Sequence, residues 1–301
     1  PYTGGHIRRV VDLTMAIADK INRTGEGVFA AVEFSDDQMR ELRMAAWLHD
    51  VGKIKIPEYV LDKKTKLQTV NDRIHEVKTR LKLIKKNYQA PLSENKNLHA
   101  KKTTRSADAE IKALDKEYQF LLEVNKGEEF LSDEKIVQIK KIAQREWHVN
   151  GESKPLLSED EVYNLCVRRG TINDEERRLI NNHALLTHKI LSGLPFPKKL
   201  CHVADYAAAH HENLDGSGYP FGLQGDEIPL QSRIIAVADV FEALTNDRPY
   251  RKGKTLSEAL KMMEIMVRDQ HIDPDVYELF VKEKIYARYA KKEMAPQQVD
   301  I

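Results

Sequence analysis

The sequence predicts an all-α protein, and three observations support that fold class. Apolar residues recur at helical spacing through most of the 301 residues. No segment shows convincing alternation of apolar and polar residues with a period of two, the pattern of a half-buried strand. Glycine and proline concentrate in residues 215–229, which predicts one ordered loop between helices.

The first predicted helices show both an apolar stripe and the residues that begin and end a helix. Residues 8–22 carry a helical stripe of apolar side chains. Ser35 and the three residues after it form a capping-box start, and a helix over 39–50 follows. Gly52 is expected to end that helix.

Residues 63–147 are rich in lysine and glutamate. Three apolar faces recur in this segment: Leu81, Ile84 and Tyr88; Ile111, Leu114, Tyr118 and Leu121; Ile136, Ile139, Ile142 and Ala143. Since charged outer faces are usual on exposed helices, we interpret the segment as two or three long solvated helices packed as a hairpin. A coiled coil that dimerises or binds a partner is the alternative. Residues 90–106 are predicted to form a loop or partly disordered link.

Compact helical patterning returns at residue 159. Asn173 and the three acidic residues after it begin a predicted helix that passes His183 and ends before Gly193. Further helices are predicted over 199–211, 232–245 and 256–268.

Charge and composition narrow the range of functions. The chain has 48 Lys+Arg against 47 Asp+Glu, so its net charge of +1 gives no general attraction to a nucleic acid polymer or a membrane. No apolar run approaches the roughly 20 residues of a membrane helix. The two cysteines cannot make a disulfide framework, and no signal-peptide pattern opens the chain. We therefore expect a cytoplasmic protein that holds an anionic ligand at a local site.

Histidine and aspartate at helix ends are the candidates for chemistry. His49 and Asp50 end an apolar helix, although such a dipeptide alone is weak evidence for a metal site. His210 and His211 follow three alanines and can converge on one cation, but a chance surface pair explains them equally well. Asp239 lies within an unbroken apolar run, which favours a buried metal ligand over an N-cap or a salt bridge.

His6 and His183 are individually typical of structural histidines, and Arg248 and Arg251 could be ordinary surface charge or a bidentate phosphate clamp. Taken together, imidazole and carboxylate groups on five helices suit Fe, Mn, Co or Zn and not an iron–sulfur cluster. Two metals that share a carboxylate suit the hydrolysis of phosphoesters.

Three segments resemble the HD-GYP phosphodiesterases of bacterial cyclic di-GMP signalling: residues 49–57, 210–220 and 233–251. The resemblance covers roughly 1–61 and 166–290, which would form a discontinuous catalytic domain. It implies an HD-type helical bundle around a dinuclear metal centre. Residues 62–165 would be a helical insertion, and 291–301 a C-terminal tail.

The same resemblance implies roles for individual residues. His6, His49, Asp50 and Asp239 would bind the first of two divalent ions, iron or manganese. Asp50 would bridge to the second ion, and His183, His210 and His211 would complete that position. Asp50 and Lys53 would act in catalysis, Lys53 by contacting a phosphate or the attacking water. Substrate contacts would come from Lys53, Tyr219, Arg248 and Arg251.

The expected reaction is hydrolysis of cyclic di-GMP to pGpG, with GMP as a further product left open. Two alternatives remain: a phosphodiesterase for 3′,3′-cyclic GMP-AMP, and a non-catalytic module that senses the dinucleotide or docks a partner. A complete ligand set argues against the non-catalytic module. Homodimerisation or a signalling partner would act through the insertion or through a sensor module N-terminal to this domain.

Overall fold

The structure is a computed structural model, and it describes residues 2–89, 100–149, 151–247 and 252–301. Thirteen α-helices lie within these residues: α1 Tyr2–Arg23, α2 Asp36–Leu48, α3 Glu58–Leu61, α4 Ile74–Gln89, α5 Ala100–Lys126, α6 Asp133–Ala143, α7 Glu159–Leu165, α8 Asp174–Ser192, α9 Val203–Ala208, α10 Leu230–Thr245, α11 Leu256–Arg268, α12 Pro274–Lys282 and α13 Tyr286–Glu293. One antiparallel hairpin joins β1 (Glu146–Val149) to β2 (Glu152–Pro155). The all-α prediction is confirmed.

The chain divides into two compact units. The first unit comprises residues up to Ile56 and from Arg178 onward, and the second comprises Pro57–Arg177. These boundaries differ by several residues from the predicted division at 62–165. The assignment of a catalytic domain and an insertion stays a prediction. Residues 291–301, predicted as a tail, contact helices of the first unit: Ser257 donates to Asp300, and Gln298 donates to the Thr245 carbonyl.

The first unit packs α1 against α2 and α10 around one apolar core. The sequence of α10 explains its central place, because apolar residues cover nearly all of its surface and most of them are fully buried. Two carboxylates in this helix, Asp239 and Glu242, therefore need partners inside the protein.

Several predicted helix boundaries are confirmed, and two segments need correction. Ser35 forms the predicted capping box with Gln38, and α8 begins at the predicted acidic run. The helix predicted over 199–211 is broken into a 3-10 turn at Lys198–Leu200, the short helix α9 and a second 3-10 turn at Ala209–His211. Of the link predicted over 90–106, residues 100–106 belong to α5, and 90–99 lie outside the described residues.

The second unit has its own core, to which α4, α5, α6 and α7 contribute. Most of the predicted stripe residues are buried there, including Leu81, Leu114, Leu121 and Ile139. Burial within the unit favours the interpretation as internally packed helices over a coiled coil with a partner. Among the described helices of the chain, none combines the length and the apolar character that a membrane crossing needs.

Candidate metal centre

The structure brings together all seven predicted metal ligands within the first unit. They come from five places in the chain: His6 on α1, His49 and Asp50 at the end of α2, His183 on α8, His210 and His211 in the 3-10 turn after α9, and Asp239 on α10. Six of them form two triads whose potential ligand atoms lie within 4.8 Å of one another: the first triad, His6, His49 and Asp239, and the second triad, His183, His210 and His211.

Asp50 lies between the two triads. Its Oδ2 is 3.4 Å from Nε2 of His49 and 3.6 Å from Nε2 of His6. Its Oδ1 is 3.2 Å from Nε2 of His183. Ligand atoms bonded at ~2.1 Å to one ion lie about 3 Å apart when they are adjacent, so these spacings suit shared coordination. One carboxylate therefore offers an oxygen to each triad.

Backbone carbonyls orient three of the imidazoles. Nδ1 of His49, His183 and His210 each lies within hydrogen-bond distance of the carbonyl three residues earlier, at 2.8, 2.6 and 2.7 Å. A carbonyl only accepts, so the network assigns the proton to Nδ1 in each ring. Each Nε2 then carries a free lone pair directed at the cluster, as a metal ligand requires.

Among the residues that the structure describes, four buried atoms of this cluster find no hydrogen-bond partner: Nε2 of His49, His183 and His210, and Oδ1 of Asp50. Buried polar atoms are nearly always paired, because an unmade hydrogen bond in a protein interior is costly. Burial also lowers the pKa of His210 well below its usual value and that of His211 to about 3. These two rings are therefore neutral and can donate lone pairs to a cation. The ligand atoms of the whole cluster fit bound cations.

Glu242 is a site residue that the sequence analysis missed. It lies one turn after Asp239 on α10 and is fully buried. Its Oε2 is 2.6 Å from Nδ1 of His6, and its Oε1 accepts from Nε of Arg9 at 2.8 Å. The available signal was a second carboxylate three residues from Asp239 in the same apolar helix, which places both on one face.

The contacts of Glu242 shift two pKa values in opposite directions. Burial alone would raise the pKa of Glu242, but hydrogen bonds and charges from His6 and Arg9 outweigh it and lower that pKa to about 2. Burial alone would lower the pKa of His6, but the hydrogen bonds to Asp50 and Glu242 outweigh it and raise that pKa to about 9. Glu242 is therefore an anion that holds a proton on His6.

Gly52 allows the second triad to approach Asp50. A Cβ at this position would lie 2.1 Å from the carbonyl oxygen of His183. The Thr187 hydroxyl donates to the His49 carbonyl at 3.1 Å and accepts from the Gly52 N–H at 3.0 Å. These contacts fix α8 against the end of α2. The sequence indicated only that Gly52 ends a helix.

The predicted substrate contacts are only partly described. Lys53 Nζ lies 2.5 Å from Oδ2 of Asp50, and the Tyr219 ring packs against His211 with ring centroids 4.9 Å apart. Buried Glu212 holds the loop that carries Tyr219, because its carboxylate accepts the N–H groups of Phe221 and Leu223 at 2.6 and 3.0 Å. Arg248 and Arg251 lie outside the described residues, so their roles stay predictions.

Two family models match this chain, and both describe the HD domain. One model of the HD domain matches residues 3–145, and a second matches residues 159–276, so that together they span most of the sequence. The chain belongs to the HD-domain family. These matches, together with the names of the relatives, confirm the resemblance to the HD-GYP phosphodiesterases that the motifs indicated.

Several relatives carry the names of cyclic-dinucleotide phosphodiesterases. A 3′3′-cGAMP-specific phosphodiesterase of Vibrio cholerae is 42% identical over 113 residues, which is 38% of this chain and 26% of the relative. A cyclic di-GMP phosphodiesterase of Pseudomonas aeruginosa is 40% identical over the same length, again 38% of this chain and 26% of the relative. The matches thus span about a quarter of the length of these relatives.

A crystal structure of a cyclic GMP-AMP-specific phosphodiesterase of V. cholerae aligns with 97% of this chain and 46% of its own. The TM-score of that alignment is 0.42, and the sequence identity is 18%.

Proposed function

We propose that this HD-domain chain is a metal-dependent phosphodiesterase that hydrolyses cyclic di-GMP to linear pGpG. The observation that carries the proposal is the position of Asp50 between two triads, in which Nε2 of His49, His183 and His210 is buried without a hydrogen-bond partner among the described residues. The names of the relatives supply the substrate class, a cyclic dinucleotide. Further cleavage of pGpG to GMP requires no additional site and is part of the proposal.

Two divalent ions, iron or manganese, would be held by residues already described. The first triad and Oδ2 of Asp50 would hold one, and the second triad and Oδ1 of Asp50 would hold the other. An all-nitrogen and oxygen donor set with no thiolate suits these metals. When bound, such ions acidify water and neutralise charge on a phosphodiester.

The net reaction adds one water across one phosphodiester linkage. The water oxygen bonds to phosphorus, the bond from phosphorus to the ribose 3′ oxygen breaks, and a proton passes to that leaving oxygen. Lys53 is proposed to hold a phosphate oxygen or the attacking water, since its half-exposed ammonium group adjoins Asp50 on a flexible stem. Tyr219, Arg248 and Arg251 are proposed to contact the dinucleotide.

A second substrate, 3′,3′-cyclic GMP-AMP, is supported by the name of the Vibrio cholerae relative with 42% identity. The two triads would contact phosphate and not bases, so they would serve both dinucleotides. A non-catalytic sensing module is the weaker candidate, because all seven predicted ligands are present and gathered in one cluster.

Metal analysis combined with product chromatography on both dinucleotides tests the proposal. Protein prepared with excess Mn²⁺ should contain about two ions and convert cyclic di-GMP to pGpG. Asp205→Asn is a matched control, since Asp205 is an exposed carboxylate that pairs with His188 in the same unit. Metal-loaded protein that opens neither dinucleotide would contradict the proposal, and preference for cyclic GMP-AMP would correct its substrate.

Coupling to a second copy or to a signalling partner through residues 62–165 or an N-terminal sensor stays a prediction, as does a cytoplasmic location. Replacement of residues 63–147 by a short Gly/Ser linker should leave metal content and basal hydrolysis largely intact and alter any dimerisation or partner coupling. A replacement protein that folds but cannot hold metal would show that these residues belong to the catalytic core.

A further inference from the structure

The four imidazoles aligned through Nδ1 do not have equivalent partners. His49, His183 and His210 each face a neutral backbone carbonyl. Nδ1 of His6 instead faces the carboxylate of Glu242 at 2.6 Å, and Arg9 holds the other oxygen of that carboxylate. A carboxylate behind a metal-bound histidine fixes the ring and makes it a stronger donor than a carbonyl does.

The two triads also differ in charge. The first triad contains the carboxylate of Asp239, whose Oδ1 lies 3.4 Å from Nε2 of His6, and behind His6 lies Glu242, whose own charge is offset by Arg9. The second triad contains three imidazoles and no carboxylate of its own, and shares only Asp50 with the first. A divalent cation is therefore attracted more strongly to the first position than to the second.

We infer that Glu242 is a positioning residue that holds His6 for the metal and makes the first triad the tighter position, which fills before the second. This inference rests on the proposed dinuclear centre. It adds an order of metal loading and assigns that order to a residue outside the predicted ligand set.

The hydrogen bonds of Glu242 indicate how it would act on His6. Arg9 has only donors, so it occupies an acceptor oxygen and leaves the second oxygen of Glu242 for the N–H of His6. In Glu242→Gln, Arg9 would take the single amide oxygen, and the amide nitrogen would face His6. His6 Nδ1 must then accept, so the ring proton moves to Nε2 and blocks the ligand atom.

Two variants, each lacking one ligand of one metal position, make the inference testable. His183→Ala leaves the first triad intact, and Asp239→Ala leaves the second triad intact. Titration calorimetry with Mn²⁺ should show tighter binding to His183→Ala than to Asp239→Ala. Adding Glu242→Gln should weaken binding in the His183→Ala background by about 10- to 100-fold and leave the Asp239→Ala background nearly unchanged.

Glu161→Gln is the matched control, because Glu161 is a buried glutamate of the second unit that pairs with Arg80 and belongs to neither triad. It should change Mn²⁺ affinity in neither background. A second readout is the tautomer of the neutral His6 ring in the metal-free protein, recorded at a pH above the His6 pKa of about 9, from ¹⁵N chemical shifts: Nδ1–H with Glu242 and Nε2–H in Glu242→Gln. Should Glu242→Gln fail to fold, Glu242→Asp keeps the charge but is too short to reach both partners, and should weaken only the first position.

Equal weakening in both backgrounds, no weakening in either, or an unchanged His6 tautomer would overturn the inference while the dinuclear centre stands. If the parent protein, His183→Ala and Asp239→Ala are all folded and none of them binds Mn²⁺, both the proposed metal centre and the inference are wrong.

Discussion

The two units differ in whether their buried polar side-chain atoms have hydrogen-bond partners. In the second unit, Lys63 Nζ bonds both carboxylate oxygens of Glu176 at 2.8 Å, and Arg80 bonds Glu161 at 2.6 Å. No buried side-chain nitrogen or oxygen lacks a partner in the described part of Pro57–Arg177. In the described part of the first unit six such atoms lack a partner: four belong to the His and Asp cluster, and the other two are Oγ1 of Thr14 and Nε of Arg233.

This difference separates structural polar groups from functional ones. An unsatisfied buried group costs about 1–3 kcal/mol, so a structural network is completed within the chain. Lys63 and Arg80 meet that expectation. In the His and Asp cluster, lone pairs meet no hydrogen-bond donor. A cation from outside the chain would be the missing partner, which agrees with the proposed metal centre. The predictions below test this contrast from the largest effect to the smallest.

The largest effect is expected at Asp50. Asp50→Asn keeps the size of the side chain but removes the charge from the proposed bridge, so at least one ion should be lost. Hydrolysis should fall by at least about 10³-fold, because groups that act as a unit fail together. Metal analysis and product chromatography check this, with Asp205→Asn as the control. Near-normal turnover in Asp50→Asn would show that Asp50 does not bridge.

Metal removal should affect the two units unequally. A ligand at 1,000 times its dissociation constant stabilises the folded state by about 4 kcal/mol. Hydrogen exchange with and without a strong chelator should therefore show slower exchange with metal in α1, α8 and α10. Exchange in α4–α6 should change little, because that unit completes its own hydrogen bonds. Uniform protection across both units would argue against a local metal effect.

Loss of a structural charge should lower stability without affecting metal. Lys63→Met removes a fully buried ammonium that donates to Glu176 and Asn164, so the Glu176 carboxylate loses its cation and keeps only the N–H of Asn173. We expect a loss of about 3 kcal/mol in the free energy of unfolding, measured in urea, at unchanged metal content. Lys85→Met is the control, because its partner Asp115 is largely exposed and the loss should stay below about 1 kcal/mol. Metal loss in Lys63→Met would weaken the contrast between the units.

Lys66 should give the smallest effect, visible as a pH dependence. Its Nζ donates to the carbonyls of Leu165 and Val167, no carboxylate within the described part of the chain pairs with it, and burial lowers its pKa to about 8. Between that value and the ordinary pKa near 10.5, the unfolded chain binds more protons than the folded protein does. The free energy of unfolding therefore increases as the pH rises.

The gain in the free energy of unfolding should reach about 2 kcal/mol by about pH 9.5, since each pH unit within this window adds about 1.4 kcal/mol. Lys66→Met should remove the rise, which is measured as the difference between parent and variant urea curves. Lys82→Met, at an exposed position of α4, should retain it. A variant curve parallel to the parent curve across pH would refute the shifted pKa.

The sequence predicted the helices with strong stripes and clear caps, such as α2 and α11, because spacing and capping are local properties. It did not predict the β1–β2 hairpin, whose four-residue strands are mostly exposed and show no apolar alternation. It predicted one helix over 199–211, since local propensity does not reveal the break that turns His210 and His211 toward the cluster.

The candidate ligands were predictable because motifs preserve residue type and spacing. Glu242 was not, because its role depends on His6 and Arg9, which lie more than 230 residues away in the sequence. Glu212 and Thr187 were missed for a related reason, since both act through backbone groups that the sequence does not mark.

The central claim is that Asp50 joins two cations, and anomalous scattering tests it most directly. Crystals of protein prepared with excess Mn²⁺ should show two anomalous peaks, one beside the first triad and one beside the second, with an oxygen of Asp50 bonded to each. A single peak or none at full metal loading, or two peaks with Asp50 turned away from either, would contradict the claim.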